Sequence, residues 1–404
     1  MERSRGREKI EWAASHMPLL GELRREFAAE QPFRGRRIAM SIHLEAKTAC
    51  LAILLRDGGG RVAVTGSNPL STQDDVALAL AEEDGISVHA RRGVSREEYT
   101  DHLRQTLAVR PDLVLDDGGD LVEVLHEDGT HGIHGGCEET TTGVARLRRR
   151  ASRGELAFPM FAVNDARMKC LFDNRHGTGQ SVWDAILRST NLLVAGKNVV
   201  VAGYGWCGRG IALRARGLGA RVTVTEIDPV KALEATMDGF SVAPMRQAIR
   251  EADFVVTATG CIDVVSADDL AVAKDGVLLS NAGHFNVEIN LDDVRRLTRR
   301  SRRVRDGIDE HTLHDGRRVY VLGEGRLVNL VLGDGHPVEI MDISFALQAL
   351  TLRHIASRPT LPPGVYAVPE EVDHDVARRR LAATSTLIDE WTEAQRSYMS
   401  EGGA

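Results

Sequence analysis

One stretch constrains this chain more than any other: Val199-Val-Val-Ala-Gly-Tyr-Gly-Trp-Cys-Gly208, with Glu226 eighteen residues further on. An apolar β-run drops into Gly203-x-Gly205-x-x-Gly208, a helical pattern follows, and a second strand, Gly219 to Thr225, ends at a carboxylate. Glycines in such a turn allow a tight reversal and let backbone N–H groups at a helix N-terminus approach a pyrophosphate. Glu226 stands where an acid accepts hydrogen bonds from ribose hydroxyls, and its charge repels a 2′-phosphate, so the pattern predicts NAD rather than NADP.

A chain of 404 residues exceeds one ordinary core and predicts two or three domains. Its net charge of −7 carries no electrostatic footprint for nucleic acid. No apolar run has the length of a membrane span, and the N-terminal residues lack a signal-peptide core, so the expectation is a cytoplasmic protein. Five scattered cysteines without a CxxC fit reduced thiols.

The fingerprint lies mid-chain, and the residues before it alternate in their own right. Arg37–Ile42, Gly60–Thr65, Leu113–Leu115 and Phe158–Val163 read as buried strands, with helical patterns at 73–83 and 96–107 between them. A helix at 181–193 leads into the fingerprint unit, whose later strands are expected at 253–257, 276–280 and 318–322. After another helix at 342–357, Arg358-Pro-Thr-Leu-Pro-Pro-Gly364 breaks the chain ahead of a charged C-terminal helix. The expected architecture is α/β with two Rossmann-like, doubly wound parallel sheets. An NAD domain (181–336) is inserted in a substrate domain (1–180 and 337–380), and a helical oligomerisation segment (381–404) follows.

Polar clusters fall at the expected strand ends, where open α/β sheets place ligands. They are Ser41 to Thr48, Asp116-Asp-Gly-Gly-Asp120, Cys137 to Gly143, Asn164 to Asn174, and Asn281 to Phe285. Singly, each has an ordinary structural explanation: a cap, a turn, a β-surface. Together they supply a lysine, carboxylates and histidines, the parts for oxidising a hydroxyl and moving protons. His131-Gly-Ile-His134-Gly-Gly-Cys137 has metal-like spacing, but no fourth ligand is evident and the glycines suit a loop near the cofactor, so no metal is expected. Cys207 reads as a small residue in a crowded turn, and the basic run 146–153 as a solvated helix face.

Over nearly its whole length the chain resembles the adenosylhomocysteinase family. The matching motifs are His43, Asn68-Pro-Leu-Ser-Thr-Gln-Asp74, Asp116 to Asp120, Glu138-Glu-Thr-Thr-Thr-Gly143, Asn164-Asp, Lys169 with Phe172-Asp-Asn174, Gly203-Tyr-Gly205, Thr225 to Pro229, Gly283-His-Phe285 and Glu324 to Asn329. The resemblance implies tightly bound NAD that oxidises a ribose 3′-OH and is regenerated each turnover. The C4′ proton is removed, the 5′ group is eliminated and water adds. It further implies Lys169 with Asp173 at the 3′-OH, His43 and Asp117 at the C4′ proton and 5′ side, and Glu139 and His284 on the ribose and proton network. Thr140, Thr141, Thr142, Asn174, Gly203, Gly205, Gly208, Glu226 and Asn329 would hold NAD. Glu45, Lys47, Thr72, Gln73 and His336 would face the substrate, His336 at the hinge.

The likeness is to the shorter prokaryotic branch, without the Lys- and Tyr-bearing tail of longer members, and a homodimer or homotetramer is expected. Two points stay open on sequence. Glu45 and Lys47 replace a Thr and a Glu common elsewhere, leaving the purine as adenine or hypoxanthine. Met168 and Leu347 replace polar residues of relatives beside the expected cleft. The thioether hydrolase therefore has an alternative, a nucleoside 5′-dehydratase that stops after elimination.

Overall fold

The computed structural model describes residues 2–129 and 132–400. His131 and residues 401–404 of the expected C-terminal segment lie outside them. Among the described residues no helix is long and apolar enough to cross a membrane.

Seven strands form an all-parallel first sheet: β1 (Arg37–Ser41), β2 (Arg61–Thr65), β3 (Ile86–Val88), β4 (Leu113–Asp116), β5 (Gly135–Glu138), β6 (Pro159–Ala162) and, from the far end of the chain, Gly364–Ala367. The second sheet holds β7 (Asn198–Ala202), β8 (Arg221–Thr225), β9 (Ser241–Val242), β10 (Phe254–Thr257), β11 (Val277–Asn281), β12 (Thr298–Arg305), β13 (Ile308–Leu313) and β14 (Arg318–Leu322). The late strand Gly364–Ala367 is β15. The orders are β15-β6-β5-β4-β1-β2-β3 and β12-β13-β14-β11-β10-β7-β8-β9, with β12 and β13 antiparallel. In the parallel part of each sheet the order reverses between β1 and β4 and between β7 and β10, which opens a crevice at the carboxyl ends of those strands. β4, β5 and β10 are buried throughout, as sheets covered on both faces require.

One helical rod joins the two sheets. Lys169–Gly177 is π-helical and continues without a break into the α-helix Thr178–Thr190. The fingerprint helix Trp206–Gly217 crosses this rod on glycines: a Cβ on Gly179 would lie 2.5 Å from the Gly210 carbonyl oxygen, and one on Gly210 would lie 1.7 Å from that of Arg175. The 19-residue helix Val338–Ala356 returns to the first sheet, where Phe345, Leu347 and Leu350 join Ile38, Met40 and Leu115 in one core.

The expected strands at 37–42, 60–65, 113–115, 158–163, 253–257, 276–280 and 318–322 are all present to within a residue or two. The expected loop at Gly135-Gly136 is instead strand β5. Its glycines answer crowding, since a Cβ on Gly136 would stand 2.7 Å from the Met160 sulfur and 2.7 Å from the Val114 carbonyl oxygen. The chain break at 358–364 ends in β15, ahead of two C-terminal helices, Glu370–Ala383 and Glu393–Ser400. The basic run is not simply solvated. Arg146 Nη1 donates to the Gly118 carbonyl at 2.8 Å and to Asp120 at 2.6 Å, and Arg150 pairs with Glu123 at 2.8 Å.

Two substitutions in the fingerprint helix test the crossing. Gly210→Ala should cost roughly 1–3 kcal/mol in chemical denaturation, the usual penalty of overpacking. Gly217→Ala, whose Cβ would meet nothing within 4 Å, should be neutral or stabilising. Equal effects would remove the close crossing as the reason for Gly210.

Candidate active site

The strand ends surround a cavity of about 1540 Å³ between the two sheets. That exceeds the few hundred to about 1,000 Å³ typical of one small ligand, and leaves room for a dinucleotide and a nucleoside together.

At its centre is Lys169, the first residue of the π-helical stretch. Its Nζ lies 2.6 Å from Asp173 Oδ2, 3.0 Å from Glu139 Oε1 and 3.1 Å from Asn174 Oδ1. The wide π turn brings positions 169, 173 and 174 to one ammonium, a local geometry typical of functional sites. Asp173 also contacts His336 Nδ1, whose Nε2 pairs with Thr178 Oγ1 at 3.2 Å. Glu139 is held by Ser344 Oγ at 2.9 Å and by Gln348 Nε2, both from the returning helix. Burial disfavours the Lys169 charge, but Asp173 and Glu139 outweigh it and hold the ammonium above its ordinary range. Asp173 stays well below the usual carboxylate range, because Lys169 and His336 overcome burial. Burial, only partly offset by Lys169, raises Glu139.

A second cluster faces the same cavity. His43 follows β1, Asp117 follows β4 and His284 follows β11. His43 Nε2 is 3.5 Å from Asp117 Oδ2, and His284 Nδ1 is 3.9 Å from Oδ1, with the two rings 6.0 Å apart. Ser71 Oγ fixes His43 Nδ1 at 2.7 Å, and Ser67 Oγ donates to Asp117 at 3.1 Å. His284 reaches over because position 118 is glycine: a Cβ there would stand 2.3 Å from His284 Nε2, and φ is +113°. Burial is the main cause that lowers His43 to about 4, so its imidazole is neutral at pH 7. Burial would raise Asp117, but His43, His284 and Lys169 together pull it below its ordinary value. These three side chains are the group among the described residues whose atoms could surround a cation, lying within 4.8 Å of one another.

The second sheet contributes a cofactor cradle. Gly203 has φ of +92°, Gly208 allows the helix to sit against the Gly203 carbonyl, and Gly205 faces open space. Glu226 accepts from the N–H groups of Tyr204 and Ile227, both at 2.7 Å, and of Asp228 at 3.0 Å. Those amides overcome burial and keep it ionised. Asn329 donates to Ser181 Oγ at 3.1 Å, while its Oδ1 is buried without a partner among the described residues. That is an acceptor fitted to an amide N–H of a bound group. Asn174 Nδ2 donates to Asn164 Oδ1 at 3.1 Å, and Thr141 Oγ1 reaches the same oxygen at 3.2 Å. Thr142 lines the cavity. Thr140 also lines it, but its hydroxyl is spent within the fold, donating to Glu138 at 2.7 Å and accepting from Gly143 N–H at 2.9 Å. Burial raises the Cys207 thiol, which leaves it inert.

Glu45 and Lys47 line one end of the cavity. Glu45 caps the helix Ala46–Asp57, and Lys47 Nζ sits 3.0 Å from its carboxylate and donates to the Asp334 carbonyl at 2.9 Å. Thr72 and Gln73, expected to face the substrate, are not among the residues that line the cavity. Thr72 is buried against Gly66, and the Gln73 side chain is held by Lys9 at 3.0 Å. Met168 and Leu347 belong to the first core and do not border the cavity either. His134 is committed to the Ile355 and Arg358 carbonyls, at 3.0 and 2.9 Å. Sequence reasoning missed Ser67, Ser344, Gln348 and Glu138. Only the doubled acids Asp116-Asp117 and Glu138-Glu139 hinted at the last.

A histidine held neutral by burial gives a stability signature. His43 is protonated near 6.5 when unfolded but only near 4 when folded, so its contribution is complete above pH 6.5 and lost as pH falls to about 4. Across that window wild type should lose about 3 kcal/mol more than His43→Asn in pH-dependent denaturation. Parallel curves would show that the folded imidazole titrates normally.

Comparison with known proteins agrees with this geometry. The family model described as S-adenosyl-L-homocysteine hydrolase matches residues 1–131, and the model for that hydrolase's NAD-binding domain matches 174–335. The adenosylhomocysteinase of Thermotoga maritima is 54% identical over 98% of this chain and 98% of its own. The S-inosyl-L-homocysteine hydrolase of Methanothermobacter thermautotrophicus is 51% identical over 98% of this chain and 95% of its own. Among solved structures, a dipicolinate synthase from Bacillus halodurans overlays with a TM-score of 0.51 at 14% identity, covering 80% of this chain and 99% of that one, which speaks for the fold alone. The chain belongs to the S-adenosyl-L-homocysteine hydrolase family and carries its NAD-binding domain.

Proposed function

We propose that this protein is an NAD-dependent hydrolase of S-adenosyl-L-homocysteine or S-inosyl-L-homocysteine, releasing the nucleoside and homocysteine. One observation carries the reading: two proton-handling clusters of opposite character share a cavity beside a dinucleotide cradle. Lys169 is a charged donor set between carboxylates, whereas His43 is a neutral acceptor beside an ionised Asp117.

Bound NAD supplies a reversible hydride acceptor, held by Glu226, Asn329, Asn174, Thr141, Thr142 and the glycine turn. The remaining work falls to the chain itself. Lys169, backed by Asp173, stabilises the negative charge at the ribose 3′-oxygen as the hydroxyl proton passes to the neighbouring Glu139 carboxylate. Glu139 accepts from ribose hydroxyls. His43 takes the C4′ proton, and Asp117 with His284 serves the 5′ leaving group and the incoming water. Neutral His43 can accept without first losing a proton, which suits a base. His336 positions Asp173 rather than touching the base.

Both purines have a reader in the Glu45–Lys47 pair. Lys47 commits two of its three donors, to Glu45 and the Asp334 carbonyl, and keeps one for a purine acceptor, while Glu45 offers an acceptor for a purine N–H. A 6-oxo purine with its N1–H complements that pair, and so does the N6–H and N1 edge of adenine. The dehydratase alternative loses its support, because Met168 and Leu347 lie in the core. Assembly into a homodimer or homotetramer is supported by Leu387, Ile388 and Trp391, which stand exposed after the helix Glu370–Ala383.

The test is free thiol released by the NAD-loaded enzyme from each thioether. Thiol from either establishes the hydrolase, and no thiol from both refutes it. Lys47→Met should lower kcat/KM for the inosyl thioether about tenfold more than for the adenosyl one if Lys47 donates to a 6-oxo group. Equal losses would remove Lys47 from purine selection.

A further inference from the structure

Two neighbouring strands end in doubled acids. The β4–β5 register sets Asp116 beside Glu138. Alternation along a strand turns the first acid of each doublet inward and the second toward the cavity. Asp117 and Glu139 line the cavity, whereas Asp116 and Glu138 are fully buried behind it. Among the described residues neither inner acid has an ion-pair partner.

Most of their hydrogen bonds run to the turns that carry the cavity-facing acids. Asp116 accepts from the Asp117 N–H at 3.0 Å and the Val122 N–H at 2.8 Å. Glu138 Oε1 accepts from the Gly118 N–H at 2.9 Å, the Thr140 N–H at 2.8 Å and the Thr140 hydroxyl at 2.7 Å. One oxygen thus ties the turn that carries Asp117 to the turn that carries Glu139. The other, Oε2, is buried with no partner among the described residues. A Cβ on Gly143 would fall 2.1 Å from the Glu138 carboxyl carbon, so the N-terminus of the helix Thr141–Ser152 is seated directly on this group.

Adjacent buried carboxyls without a cation cannot both ionise. Since Oε1 takes three donors, Oε2 is the site where a proton removes the cost of an unsatisfied buried anion. We propose that Asp116 and Glu138 hold one proton between them and act as a positioning pair, which sets the separation of Asp117 from Glu139 through the amides of Gly118 and Thr140. Burial, followed by the neighbouring Asp116, raises Glu138 well above the carboxylate range, and burial raises Asp116 to about 7, in agreement. The surrounding groups do not supply the missing cation. Asp120 faces Asp116 from the next helix and is neutralised by Arg146 at 2.6 Å, with the Tyr99 hydroxyl at 3.1 Å. The Cys137 thiol on β5 is pushed upward by burial.

The role in catalysis rests on the assignment of Asp117 and Glu139 above, but the proton can be tested without activity. Infrared difference spectra of the NAD-loaded enzyme, wild type minus E138Q, should show the carbonyl band of a protonated carboxyl at pH 7. E138Q, with a neutral side chain of the same shape, should keep kcat within about threefold, while E138A, which frees both amides, should lose at least about tenfold. Absence of the band overturns the shared proton, and so does an E138Q loss as large as that of E138A. If E138A does not fold, the band and the E138Q rate decide. A band with an unchanged E138A rate would overturn the positioning role alone.

Discussion

The structure turns on one buried ammonium. Lys169 sits between Asp173 and Glu139 with almost no access to solvent, and several elements that shape the cavity meet at this contact. The π stretch brings Asp173 and Asn174 to it, the end of β5 brings Glu139, and the returning helix brings Ser344 and Gln348. His336 arrives from the connection between the sheets. A buried charge of this kind is a poor source of stability, because desolvation offsets the attraction. Its value is geometric, for it requires all these elements to meet in one arrangement.

The consequence is a division of labour across the cavity. Around Lys169, opposite charges keep the ammonium and Asp173 ionised, while burial raises Glu139. Around His43, burial keeps the imidazole neutral while Asp117 remains an anion. Environments that push titratable groups apart in this way allow donors and acceptors to coexist at one pH. The two clusters come from both sheets, so the site exists only while they are together. The close packing of His284 on Gly118 and the bond from Lys47 to the Asp334 carbonyl hold that approach.

Local patterns were legible in the sequence. The fingerprint turn, the long apolar strands and Glu226 follow from neighbouring residues, and the structure has them where the periodicity put them. The catalytic candidates were found through ordered motifs at strand ends, and the topology collects His43, Asp117, Glu139, Lys169, Asp173 and His284 around one cavity. What was missed depends on distant neighbours. Gly135-Gly136 looks like a loop until Met160 and Val114 are seen to crowd it. β12 carries arginines on both exposed faces and has no apolar alternation to read. Thr72 and Gln73 belong to a matching motif yet are not among the residues lining the cavity, and Glu138 is indistinguishable from Glu139 until the register shows which faces inward.

The most direct test of the divided site is exchange at C4′. The NAD-loaded enzyme would be incubated with the thioether in deuterated water, and the recovered substrate examined by mass spectrometry. If Lys169 enables proton loss and His43 performs it, wild type incorporates deuterium at C4′, and both Lys169→Ala and His43→Asn lose that incorporation by orders of magnitude. Thiol release by wild type with no C4′ label, or full labelling in Lys169→Ala, would contradict the account.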